Sequence, residues 1–193
     1  MTKGNGAIQP LSGVKVLDFT QVMMGPCATQ MLADHGADVI KIERPGVGDL
    51  SRTSIADDPD GLNNPVFRSL NRNKRSIALD LRGEAGKAVV YDLVKTADVV
   101  VNNFRAGVMD RMGFGYEQLA RINPRIICAF GSGFGQSGPF AHKGGQDILA
   151  QAVSGVMARK PDKALPTTLY STALADYSAG MHMVQGILLA LMQ

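Results

Sequence analysis

The sequence predicts an α/β domain, an open parallel sheet with helices on both faces. Three observations lead there. Apolar runs of strand length alternate with segments whose apolar residues fall at helical spacing. Glycine is abundant, 22 of 193 residues, and Trp is absent, which suits many tight strand-to-helix turns. Hydrophobic residues make up 45% of the chain, enough to bury a core in one domain of common size.

Val14-Lys15-Val16-Leu17-Asp18-Phe19 follows a Gly and precedes a loop, so it reads as a first, buried strand. Gly25-Pro26 opens a helix over roughly Pro26 to His35, with Pro at the first helical position, and Gly36 stops it. Asp38 to Glu43 is the second strand, and such tight spacing makes a right-handed βαβ unit with parallel strands. Arg44 to Leu70 is rich in Gly, Pro, Asp, Asn and Ser and carries no period, so it reads as a long excursion. Then come a third strand at Arg75 to Leu79, a helix from Gly83 to Thr96 and a fourth strand from Asp98 to Val101. A short helix at Tyr116 to Ile122 precedes a fifth strand at Arg125 to Phe130. A helix at Asp147 to Val156 turns Ile148, Leu149, Ala152 and Val153 inward, and the apolar run after Met181 forms a last, buried helix. That run stops at Gln193 without Gly, Pro or a basic last turn, the signature of a piece of a longer protein.

Lys and Arg number 20 against 17 Asp and Glu, a net charge of +3 with the signs interspersed. No global field favours nucleic acid, so any anion site is local. Cys27 and Cys128 lie far apart in apolar segments, as reduced thiols of a cytoplasmic protein do. No signal peptide opens the chain, and the run from Met181 to Met192 falls well short of the ~20 residues a bilayer needs, so no membrane role is expected. The three histidines are scattered and no CxxC or HxxxH spacing occurs, so no metal is expected. With one Gly in Thr20 to Pro26, the dinucleotide fingerprint is absent, as is a P-loop.

In such a sheet, ligands sit at the carboxyl ends of the strands. Arg44, Arg82, Arg105, Arg111 and Lys143 all fall after strands. Each alone reads as solvated surface charge; at one sheet edge they would converge on a ligand with several phosphates. Asn103 adds an amide, and Phe104 is either a plain core aromatic or a face against a purine ring. Asp176 stands among Ala175, Ser178, Ala179 and Gly180, carried by the last, buried helix. Two readings are open on these residues: a helix N-cap, or a reachable and poorly hydrated carboxylate able to attack a thioester.

Leu11 to Phe19, Gly36 to Arg44, Asn73-Lys74-Arg75-Ser76, Asn103-Phe104-Arg105 and Asp110-Arg111-Met112-Gly113 together resemble the class III CoA-transferase family, which includes formyl-CoA transferase, carnitine CoA-transferase and α-methylacyl-CoA racemases. The resemblance runs from about Leu11 to the end and rests on five motifs in order. It implies a Rossmann-like large domain, here residues 11–193 after a tail of residues 1–10 and truncated before a small domain. It also implies two chains interlocked in a homodimer, with acyl-CoA and a carboxylic acid as small-molecule substrates. Coenzyme A contacts are implied at Gln21 to Met24, Arg44, Leu79 to Arg82, Asn103, Phe104, Arg105, Arg111, Lys143 and Gln146, and Asp176 takes the place of the catalytic Asp. Gln146 occupies the position where racemases carry a His; it cannot titrate, which counts against two-base proton exchange at an α-carbon. Three expectations result. They are an acyl-CoA:carboxylate CoA-transferase with a covalent aspartyl intermediate, a racemase or epimerase using Asp176, and a CoA-binding fragment inactive by itself.

Overall fold

A computed structural model describes residues 9–53, 63–158 and 169–193. Most of the predicted tail and residues 54–62 of the excursion lie outside these. Five parallel strands, β1 (Lys15–Asp18), β2 (Asp38–Glu43), β3 (Arg75–Ala78), β4 (Val99–Asn102) and β5 (Ile127–Phe130), form one sheet in the order β3-β2-β1-β4-β5. Register is set by pairs such as Leu17 with Ile40 on one side and with Val100 on the other. The helices are α1 (Met24–Asp34), α2 (Pro65–Asn71), α3 (Glu84–Val94), α4 (Val108–Met112), α5 (Tyr116–Ile122), α6 (Asp147–Val153) and α7 (Leu174–Leu191).

Side chains alternate across the pleat, so each central strand feeds two cores. Leu17, Phe19, Ile42 and Val100 point to one face, where Val90 and Val94 of α3 and Leu119 of α5 meet them around Phe114. Val16, Val39, Val99 and Val101 point to the other, against Leu32 and Ala33 of α1 and Ile187 of α7. At roughly 25 cal/mol per Å² of apolar surface removed from water, these two layers supply the main drive to fold.

Several elements depart from the expectations. Pro26 is the third helical residue of α1, not the first, because the helix already begins at Met24. The excursion holds a 3-10 turn at Leu50–Arg52 and the helix α2, whose N-cap Asn64 accepts from the N–H groups of Val66 and Phe67 with Pro65 at the first position. Helix α4 is five residues long between left-handed Gly107 and Gly113. Helix α6 ends at Val153, and its expected inward residues face out: Val153 is 73% exposed, and Ile148 and Leu149 are exposed too. Helix α7 carries Asp176 but is not the buried helix expected, since only Gly180 and Ile187 are buried while Leu189 is 67% and Met192 84% exposed. Apolar spacing marks a helix face without saying whether anything lies against it. Among the described residues no helix is long and apolar enough to cross a membrane.

Candidate active site

Helix α1 leaves β1 toward one face of the sheet, while α4 and α5, between β4 and β5, pack on the other. The carboxyl ends of β1 and β4 therefore border the crevice where ligands of open α/β sheets bind. The β1 loop is fixed there by buried polar groups. Asp18 accepts from the hydroxyls of Thr20 and Thr29 and pairs with Lys74 Nζ at 3.0 Å. Burial alone would raise the Asp18 carboxyl, yet Lys74 and Lys41, with the two hydroxyls, hold it at about 2. Burial pushes Lys74 down to about 8, against the pull of Asp18. Lys41, only 1% exposed, pairs with Asp49 Oδ2 at 2.8 Å and donates to the Thr20 carbonyl. Glu43 accepts a fork from Arg52 and a bond from Ser76; against its burial, these contacts bring its carboxyl to about 2.

Two cavities open along this edge. One of about 430 Å³ is lined chiefly by apolar groups, among them Phe19, Ile42, Leu79 and Phe104, and bordered by Gln21, Arg44 and Arg82. The next, of about 440 Å³, is lined by Asn103, Phe104, Arg105, Ser132, Lys143 and Gln146 together with glycines. Phe104 lines both. The wall of the second requires glycine: a Cβ on Gly145 would lie 2.3 Å from the Gly133 Cα, so the two ends of the single loop between β5 and α6 touch backbone to backbone. The Arg105 guanidinium lies against Gly144.

Asp176 stands in the first turn of α7. The N-cap is Ala173, and the orphan amides are capped from outside, because Asp147 Oδ1 accepts from the N–H groups of Ala175 at 2.7 Å and Asp176 at 2.9 Å. Gln151 holds Asp147 from its other oxygen. The Asp176 carboxylate is thus not the cap, and it takes no hydrogen bond from any described residue. Burial, and then repulsion from Asp147, push it up to about 6. Gly180, one turn on, sits against α1: a Cβ there would meet the Met24 carbonyl at 2.8 Å. Burial first, and Asp176 further, raise the Cys27 thiol on that same helix, against Lys74.

The family model for CoA-transferase family III matches residues 11–193. The chain belongs to that family. Formyl-CoA:oxalate CoA-transferases of Escherichia coli O139:H28 and Shigella boydii serotype 18 are each 45% identical over 183 residues, 95% of this chain and 44% of theirs. A solved CAIB/BAIF family protein from Brucella suis superposes with a TM-score of 0.89 at 39% identity, over 96% of this chain and 50% of that one. A hypothetical protein from Mycobacterium tuberculosis gives 0.86 at 36%, over 95% and 50%. The chain spans less than half the length of the curated relatives it matches.

Against the contacts that family resemblance implies, the structure gathers most and separates some. Gln21, Arg44, Leu79, Arg82 and Phe104 share the first cavity; Asn103, Phe104, Arg105, Lys143 and Gln146 share the second. Met24 lines a third, apolar cavity of about 580 Å³ beside β5 and α7. Met23 is the N-cap of α1, and Arg111, on α4 with its guanidinium by Gly107, lines none of these three. Arg82 pairs with Asp80 two residues away, both well exposed. Asp176 lines none of these cavities either; it is half-buried in the first turn of α7. Among the described residues no group of three or more His, Cys, Asp or Glu is placed to hold a metal ion.

Residue-by-residue reading passed over Asp49, Lys41 and Ser132. Lys41 and Glu43 carried a signal, being charges inside a strand of a parallel sheet that is covered on both faces and so in need of partners. Ser132, whose Oγ is buried without a partner among the described residues, carried none.

Proposed function

We propose that this chain carries the coenzyme A site and the nucleophile of an acyl-CoA:carboxylate CoA-transferase. The observation that carries the reading is the pair of cavities joined at Phe104, one mostly apolar and the other lined by Arg105 and Lys143, with Arg44 and Arg82 at the rim of the first. An adenine suits the apolar cavity against Phe104, and phosphates suit the cations. The relatives' names, formyl-CoA:oxalate CoA-transferase, support the reaction class.

Asp176 is the proposed nucleophile. A carboxyl at about 6 is mostly ionised at neutral pH, yet it is more basic than an ordinary aspartate and has few solvent or protein bonds to give up. Its oxygen attacks the acyl-CoA carbonyl; the C–S bond breaks, leaving a mixed anhydride and CoA thiolate. The thiolate attacks the aspartyl carbonyl, the C–O bond breaks, and the first carboxylate departs. The acceptor carboxylate then attacks the aspartyl thioester, freeing thiolate and forming a second anhydride. Thiolate attack on its acceptor carbonyl yields the new acyl-CoA and restores Asp176. Atoms and charge balance without any net proton change.

Exposed Val153, Met181, Leu189 and Met192 support a partner surface over α6 and α7, in keeping with a homodimer. The test is single-turnover trapping. With an acyl-CoA and hydroxylamine, the unchanged chain gives an acyl hydroxamate faster than hydroxylamine attacks the free thioester. Asp176→Ala shows only that protein-free rate while binding coenzyme A as before by titration calorimetry. Hydroxamate formation above the protein-free rate in the variant rules out Asp176, and absence of CoA binding in the unchanged chain rules out the reading.

A further inference from the structure

A set of buried contacts behind the β1 loop has no part in the chemistry above. Val22 has φ of 67°. That is the left-handed region, where a β-branched residue is a genuine outlier. The two peptides that lead into it, on either side of Gln21, are gripped by side chains from distant parts of the chain. Lys41 donates to the Thr20 carbonyl at 2.8 Å. Asn103 closes a two-point clasp on Gln21, its Oδ1 accepting from the N–H at 2.8 Å and its Nδ2 donating to the carbonyl at 2.7 Å. Asp49 Oδ1 accepts from the Val22 N–H at 3.1 Å, a bond spanning 27 residues.

Asp49 is itself built into place. It is 0% exposed, with its other oxygen on Lys41, its N–H donating to Glu43 and its Oδ1 also receiving the Ser51 N–H and hydroxyl. Backbone strain persists where surrounding structure over-determines it, and it gathers at ligand sites. The loop so held lies at the carboxyl end of β1, and Gln21 lines the cavity with Phe104, Arg44 and Leu79.

We infer that Asp49 is a positioning residue for ligand binding: it latches Val22 in the left-handed conformation and so sets Gln21 in the wall of the first cavity. The inference rests on reading that cavity as part of the coenzyme A site. It also reassigns Asn103, whose amide is spent on the Gln21 peptide and acts on the site through that residue.

Titration of the full chain with coenzyme A tests this, because one variant keeps the latch and another breaks it. Asp49→Asn loses the ion pair with Lys41 but keeps an Oδ1 to accept from Val22; Asp49→Ala loses both. The latch predicts affinity within about threefold of the unchanged chain for Asp49→Asn and at least about tenfold weaker for Asp49→Ala. It further predicts that Val22→Gly, added to Asp49→Ala, restores most of the affinity, since glycine holds that φ unaided. If Asp49→Ala yields too little folded protein, the comparison is made with Lys41→Met in every form, removing the unpaired ammonium. Equal weakening in the asparagine and alanine variants, or no recovery with glycine, assigns Asp49 to structure alone and overturns the latch. Full affinity in Asp49→Ala overturns it too. An unchanged chain that binds no coenzyme A overturns the reading of the cavity and takes the positioning role with it.

Discussion

Replacing Asp147 by asparagine separates the two causes that hold Asp176 near 6. In the folded chain Asp176 keeps its proton until about pH 6, whereas unfolded it would release it near its ordinary 3.8. The native state therefore holds the extra proton across that window. The resulting stabilisation is fully present below about pH 4 and is lost as pH rises through 6. The interval corresponds to at most about 3 kcal/mol. Because the side chain is partly open to water, roughly half that is a fair figure. Asparagine at 147 removes the second cause, the neighbouring charge, and leaves burial, so the midpoint falls part of the way toward 3.8. Its Oδ1 still caps the Ala175 and Asp176 amides, but Gln151, which now donates to Asp147 and accepts from the Tyr170 N–H, must turn its amide over. That costs about 1 kcal/mol for the lost bond. Carbon-13 NMR of labelled aspartate reads the Asp176 carboxyl directly, with Asp176→Asn assigning the resonance. A midpoint near 3.8 in the unchanged chain would show a well-hydrated acid and refute the reasoning; an unmoved midpoint in Asp147→Asn would remove the Asp147 contribution.

Further outcomes follow from the buried pairs and the cavity walls. Lys74→Met leaves Asp18 charged at 0% exposure and should cost about 3–5 kcal/mol, lowering the thermal midpoint by roughly 10 °C. Adding Asp18→Asn should recover part of this in the same melting experiment. Gly145→Ala places a Cβ 2.3 Å from the Gly133 Cα; forcing the two ends of that loop apart costs about 1–3 kcal/mol and should weaken coenzyme A about tenfold by calorimetry. Arg105→Gln and Lys143→Gln should each weaken coenzyme A and flatten its dependence on salt. A salt slope unchanged by either substitution would place the phosphates elsewhere.

Strand positions were legible because Val16, Leu17, Val39, Ile42 and Val99 to Val101 form apolar runs between glycines and polar loops, a pattern a two-faced parallel sheet imposes directly. The βα order located the carboxyl-edge loops, and with them most of the cavity lining. Helices α2 and α4, of seven and five residues, are too short to display a period, although Asn64-Pro65 was a readable start. Orientation of α6 and α7 was not legible: Ile148, Leu149 and Val153 have the spacing of a core face, but spacing carries no information on whether another surface covers it. Asp176 was singled out by its small neighbours, while the cap of its helix came from Asp147, 29 residues away. Contacts of that range leave no local trace. Val22 is the extreme case, since a β-branched residue is the last that turn chemistry would place in a left-handed conformation.

Gly180 gives the molecule a mechanical property. With no side chain to separate them, the helix bearing the acid rests on the carbonyl of Met24, at the start of the helix that continues the β1 loop. On the proposed reading, the loop that walls the nucleotide cavity and the helix that bears the nucleophile therefore meet through bare backbone, so a bulkier residue at 180 would disturb both at once.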